Sequence, residues 1–191
     1  FMESVNILRR LKEKAEKVLG CELKTACGAI PPKTGEKSAK MVANVIEETG
    51  MICTGIEDEP TAAAKFLRLV NGTVVDIGGG TSNIAVYQKG TLKGTCCLDI
   101  GGRLIKISDG KISYIFPKIQ KLASDHGITI TVGEKADQSK LYNVCCLMAE
   151  QLAKALYLLP ADDEHKGLYT NDGSMLPKEP KVAALTYSGG V

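Results

Sequence analysis

The sequence predicts an α/β fold on three observations. Apolar residues recur at helical spacing over 2–19, 35–49 and 138–159. Short β-branched runs sit between those stretches or follow one another across glycine turns, most densely from 73 to 116. The 191 residues, 44% hydrophobic and 24% charged, suffice to bury a real core in one sizeable domain or two small lobes.

Met2–Leu19 puts Val5, Leu8, Leu11, Ala15, Val18 and Leu19 on one face and Lys, Arg and Glu on the other. Gly20 is its expected stop and Glu13–Lys17 its i,i+4 pair. The interleaved glutamates favour a solvated face over a nucleic-acid surface. Cys21–Ile30 reads as extended and closes on Pro31-Pro32. Gly35–Thr49 is a second helix, with Met41, Val42, Val45 and Ile46 as its stripe and Gly50 as its end. Met51–Ile56 is a short strand, and Pro60 opens a helix over Thr61–Val70 as an N1 proline does. Between them stand Glu57, Asp58 and Glu59. Such carboxylates suit a helix dipole, and equally could supply a base beside a phosphate.

Val74-Val75-Asp76-Ile77-Gly78-Gly79-Gly80-Thr81-Ser82-Asn83 is the stretch with most chemical content. It reads as strand, tight loop, strand. Glycines without Cβ leave room for a ligand, and their N–H groups with the Thr81 and Ser82 hydroxyls can converge on a phosphate. Asp76 beside that anion calls for a cation between them, and hard Mg²⁺ meets the need. A hairpin that is merely glycine-rich is the plain alternative.

Strands over Ser82–Gln88 and Thr91–Leu98 meet at Lys89-Gly90, and Leu104–Ser108 and Lys111–Phe116 meet at Asp109-Gly110. Between these hairpins Asp99-Ile100-Gly101-Gly102 repeats residues 76–79. Lys118–His126 is expected as helix, Ile128–Val132 as extended, and Gln138–Leu159 as a long helix capped by Asp137. Its stripe of Leu141, Val144, Cys145, Met148, Leu152, Ala155, Leu156 and Leu159 is expected in the core. Residues 160–180 are the longest expected loop, before a strand over Lys181–Tyr187.

A net charge of +2 leaves no electrostatic footprint for nucleic acid, and 5% aromatics without Trp argue against base stacking. No run is long enough for a membrane span and no leader is recognised, so no membrane is expected and the cytoplasm is the expected compartment. Seven cysteines, in an odd number and without C-x-x-C, read as buried reduced thiols in preference to a metal or iron–sulfur site.

The order strand, helix, strand, Glu59-Pro60-Thr61-Ala62-Ala63-Ala64, then Asp76–Thr81 resembles the actin-like ATPase superfamily, which includes the Hsp70 chaperones, actins and sugar kinases. Residues 4–90 are similar to the Hsp70-like ethanolamine utilization protein EutJ, through Val5-Asn6-Ile7-Leu8, Ala29-Ile30-Pro31-Pro32, Asp58–Ala64 and Val75–Thr81. Residues 74–191 resemble EutA, the reactivating factor of ethanolamine ammonia-lyase, through Cys97–Ile105, Gly173–Pro177 and Ser188–Val191. The resemblance implies a ribonuclease H-like, actin/Hsp70-type ATPase domain whose mixed sheet is flanked by helices. Residues 1–72 would be a partial first lobe and 73–191 a second-lobe ATPase segment.

It further implies ATP or ADP with Mg²⁺ as ligands. By position, Asp76 lies near the metal, and Gly78, Gly79, Gly80 and Thr81, with Ser82, match the second phosphate loop. Glu59 matches the glutamate that places the attacking water or the metal; Gly101 and Gly102 match a turn near the nucleotide, and Gly189 and Gly190 the start of the adenosine loop. Where the chaperones continue that turn with a helix, Arg103–Ile107 reads as a strand, as in the reactivating factor. The family's first phosphate loop, an Asp-x-Gly-Thr hairpin, has no counterpart in residues 1–70, and the sequence stops at Val191 where a helix would follow. The expectation is therefore a domain incomplete at both ends.

The implied activity is ATP hydrolysis coupled to lobe motion, used to release damaged cobalamin from the protein client ethanolamine ammonia-lyase. The implied setting is the cytoplasm, in association with a bacterial microcompartment. An EutJ-type chaperone, a non-hydrolysing scaffold and a small-molecule kinase of the same superfamily are the alternatives.

Overall fold

The computed structural model describes residues 1–32, 34–170, 175–181 and 184–189. The chain divides into two compact units, Phe1–Ala62 and Ala63–Val191.

The first unit runs α1 (Met2–Leu19), β1 (Thr25–Ile30), α2 (Glu36–Glu47), β2 (Ile52–Asp58) and the start of α3 (Glu59–Phe66). β1 and β2 pair in parallel from Thr25↔Ile52 to Ile30↔Asp58, as a strand–helix–strand crossover requires. α2 lies close on β1 at Gly28, where a Cβ would come within 2.6 Å of Ile56 Cδ1 and 2.8 Å of Val42 Cγ1. Gly20 ends α1 at φ 70° as a left-handed cap. The helix's ion pair is Lys12–Glu16 at 3.1 Å and not Glu13–Lys17. Glu16 is the residue held in place, because it also accepts the Leu23 N–H. Only Val5 of the expected α1 stripe is buried, while Leu11, Val18 and Leu19 are exposed.

β2 extends two residues beyond expectation, and α3 starts at Glu59 and stops at Phe66 instead of spanning Thr61–Val70. Asp58 Oδ1 accepts the Thr61 N–H at 2.9 Å, so its carboxylate caps the first turn. At the other end Arg68 takes φ 51° and the Leu69 N–H reaches back to the Ala64 carbonyl, which unwinds the helix.

The second unit contains β3 (Gly72–Ile77), β4 (Ser82–Gln88), β5 (Thr91–Leu98), β6 (Ile105–Ser108), β7 (Lys111–Ile115), α4 (Pro117–Asp125), α5 (Gln138–Ala155), α6 (Asp163–Lys166) and β8 (Leu185–Ser188). Its main sheet has the order β5-β4-β3-β8, with β4 antiparallel and β8 parallel to β3. The sheet is mixed. Val75, Ile84, Val86, Cys96 and Leu98 enter a core with Ile119, Leu122, Val144 and Leu156. Val74, Ala85 and Tyr87, alternating with them, enter a smaller cluster with Ala64. Cover on both faces explains why residues 72–75 of β3 and 82–87 of β4 are unbroken buried runs. Lys89-Gly90 and Asp109-Gly110 form their hairpins with positive φ at both positions, as the primed turns demand.

Several expectations change here. Ile128–Val132 forms no strand: Gln120 and Lys140 side chains donate to the carbonyls of Ile130 and Thr129, taking the place of a ladder partner. α5 keeps its Asp137 cap, which accepts the Lys140 N–H at 3.0 Å. It ends at Ala155, short of Leu159, because Tyr157 turns left-handed and the Leu158 N–H closes on the Ala153 carbonyl. The expected loop over 160–180 contains α6, and Tyr169 within it bridges Leu98. The last strand is Leu185–Ser188. Cys96 is buried, whereas Cys21, Cys27, Cys145 and Cys146 are exposed. Val144 turns to the core and its two cysteine neighbours therefore face outward, removing Cys145 from the expected stripe. No group of residues able to hold a metal through three or more His, Cys, Asp or Glu ligands exists among the described residues.

Candidate phosphate site

Three glycine segments meet where β3, β5 and β8 reach their carboxyl ends. Asp76, near the end of β3, pairs with Asn83 on β4 and Ser188 on β8. The Ser188 hydroxyl donates to Asp76 Oδ1 at 2.6 Å across 112 residues of sequence, orienting a half-buried carboxylate.

Gly78–Thr81 then reverses the chain, closed by the Gly78 N–H on the Thr81 carbonyl at 2.8 Å. No backbone acceptor among the described residues takes the N–H of Gly79 or Gly80. Gly80 is exposed, with nothing within 4 Å of the place a Cβ would occupy. Loop donors pointing away from protein acceptors are what an anion site requires.

The second glycine turn is fastened to the first. The Gly102 N–H donates to the Gly78 carbonyl at 3.0 Å and the Arg103 N–H to the Gly79 carbonyl at 2.7 Å. A Cβ on Gly101 would lie 2.7 Å from the backbone of both Gly78 and Gly79, so no side chain fits. Gly189 approaches β3 as tightly: at φ 126°, its Cβ would overlap the Ile77 carbonyl. These absences of Cβ let three backbone segments abut.

Ser82 departs from the expected role. Its side chain is fully buried and its hydroxyl donates to the Ile100 carbonyl at 2.7 Å. It ties the two glycine turns together from the interior instead of facing a ligand. Thr81 stays half-buried beside the loop. The second Asp-Ile-Gly-Gly is also different in kind: Lys118 on α4 donates to Asp99 Oδ2 at 2.6 Å, matching its charge within the protein. Glu59 stands in the first turn of α3, half-buried, in the first unit. Gly190 lies outside the described residues.

Sequence reading singled out Asp76 and the glycine turns and did not single out Ser188 as the partner that orients Asp76. Its one local signal was the Ser188-Gly189 pair at the end of an expected strand; the β3–β8 pairing that gives it meaning is parallel and remote.

The family model for ethanolamine utilisation protein EutA matches residues 61–191, and that for Hsp70 protein matches residues 3–102. The ethanolamine utilization protein EutJ of Escherichia coli K12 is 36% identical over 145 residues, covering 75% of this chain and 51% of that protein. Ethanolamine ammonia-lyase reactivase EutA of the same organism is 32% identical over 128 residues, covering 66% of this chain and 26% of that protein. The crystal structure of EutJ from Carboxydothermus hydrogenoformans is similar with a TM-score of 0.54 and 32% identity, over 82% of this chain and 54% of the other. The chain therefore spans about half the length of the EutJ proteins and about a quarter of the EutA protein. No helix among the described residues is long and apolar enough to cross a membrane.

Proposed function

This chain belongs to the ethanolamine utilisation protein EutA family and has the actin/Hsp70-like ATPase fold, and from that premise we propose that it is the nucleotide-binding part of an ATP-dependent reactivating factor. The observation that carries the reading is the junction of the Gly78–Thr81 and Gly101-Gly102 turns beside Asp76, which leaves the Gly79 and Gly80 N–H groups without a backbone acceptor among the described residues. That donor set fits a magnesium nucleotide, since one carboxylate and a row of backbone N–H groups are what Mg²⁺ and a phosphate ask for.

Asp76 would hold Mg²⁺, pre-oriented by Ser188. The N–H groups of Gly79 and Gly80 with the Thr81 hydroxyl would hold phosphate oxygens, and Gly78, Gly101 and Gly102 would shape the loop through the close approach of the two turns. Ser82 would act as a positioning residue through Ile100. Gly189 and Gly190 would begin the adenosine contact, and Glu59 would orient the attacking water or the metal. When bound, the magnesium nucleotide supplies a terminal phosphate whose presence or loss distinguishes two conformations. These residues act by positioning and charge stabilisation, with no covalent step on the protein.

The client in this reading is ethanolamine ammonia-lyase, acted on in the cytoplasm or within a bacterial microcompartment to free it of damaged cobalamin. A EutJ-type chaperone is the second reading, favoured by the greater share of this chain that likeness to EutJ covers. Incubating the full-length protein with ethanolamine ammonia-lyase blocked by cyanocobalamin separates the two. The reactivase reading predicts recovered turnover on addition of adenosylcobalamin only with ATP and Mg²⁺. No recovery, or recovery independent of ATP, would overturn it.

A further inference from the structure

We propose that Arg103 is a nucleotide-contacting residue whose guanidinium binds the polyphosphate held at the Gly78–Thr81 loop; this rests on reading that loop as a phosphate site. The stem of Arg103 lies against Gly79, with Cδ 3.2 Å, Cγ 3.5 Å and Cβ 3.7 Å from the position a Cβ on residue 79 would take. The contact is set by backbone, because Arg103 gives its own N–H to the Gly79 carbonyl and Gly102 gives its N–H to Gly78. A side chain anchored at that point follows the loop wherever the loop goes.

The head group is uncommitted by comparison with its surroundings. Arg103 is exposed, and among the described residues its guanidinium has no carboxylate within 4 Å. The carboxylate four residues earlier, Asp99, is matched by Lys118. Asp76 takes its hydrogen bond from the neutral Ser188 hydroxyl. A triphosphate bound with one Mg²⁺ retains negative charge, and Arg is always protonated and meets phosphate with two parallel N–H bonds. The stem covers the glycine loop while the charged end stays free to swing. A purely structural role, with the stem shielding Gly79 and the head in water, is the competing account.

Fluorescent N-methylanthraniloyl derivatives of ATP, ADP and adenosine, titrated with Mg²⁺ into the full-length protein, decide between them. Arg103→Ala and Arg103→Gln should each weaken ATP and ADP binding about tenfold or more, while Arg103→Lys recovers part of the loss. Adenosine binding should be the same in all forms, and the salt dependence of ATP binding should be shallower in the two uncharged variants. Arg103→Gln keeps a stem over Gly79, so it tests the charge in a protein whose packing is preserved. ATP affinity within about twofold of wild type in both uncharged variants, at unchanged melting temperature, would overturn the assignment and leave the phosphate site standing. A wild-type protein that binds no nucleotide would remove the phosphate-site reading and Arg103 with it.

Discussion

The chain contains Asp-Ile-Gly-Gly at 76–79 and again at 99–102, and the two copies meet through backbone hydrogen bonds from Gly102 and from Arg103 just after it. Their aspartates nevertheless do different things. Asp99 is satisfied inside the protein by Lys118 at 2.6 Å. Asp76 is bonded by the neutral Ser188 hydroxyl, which fixes its direction and brings no charge to match its own. The difference shows that a four-residue motif does not determine its own role. That role comes from the side chain another element delivers: a lysine from α4 in one case, a serine from β8 in the other.

The largest effect that would sharpen this comparison is steric. Gly101→Val should destabilise the protein by about 3 kcal/mol, because overpacking against backbone leaves no rotamer as an escape. Gly80→Ala, in open space, should stay within about 0.5 kcal/mol. Denaturant midpoints of the two variants check the pair, and equal losses would mean that the turns do not abut as described.

A second lysine extends the theme of internally matched charge. Lys154 on α5 is nearly buried, with Asp162 at 2.7 Å, Glu150 at 3.0 Å and Glu164 at 3.8 Å. The hydrogen bond it donates to Asp162 raises its affinity for its proton despite burial, and the same bond holds the Asp162 carboxyl below its usual range. Its carboxylate partners reach solvent, which screens them, so Lys154→Met should cost about 1–2 kcal/mol at neutral pH. A depressed carboxylate contributes stability above its unfolded pKa and loses it as pH falls through the folded value; a raised lysine contributes below its unfolded pKa and loses it as pH rises through the folded one. The gap between wild type and variant should thus be flat near neutrality and close in acid. A gap that widens in acid would contradict the pairing.

Much of the second unit was legible in sequence because its signals are local. β4 and β5 fall on the expected residues, and Asp137 caps α5 as its position suggests. What could not be read depends on contacts remote in the chain. Nothing near residue 188 says that its strand lies parallel to β3, and nothing near Ser82 says that its hydroxyl is used by Ile100. The exposed face of α1 failed for a related reason. Periodicity tells which residues share a face, while burial depends on what the rest of the unit places against it; here that reaches Val5 and leaves Leu11 and Val18 in solvent.

Calorimetric titration of ATP into the full-length protein, with and without Mg²⁺, tests the contrast between the two aspartates most directly. Asp76→Ala should abolish the Mg²⁺-dependent part of binding, while Asp99→Ala, which loses only an ion pair within the protein, should retain it. Mg²⁺-dependent binding that survives Asp76→Ala, or that Asp99→Ala removes equally, would contradict the assignment of the metal to Asp76.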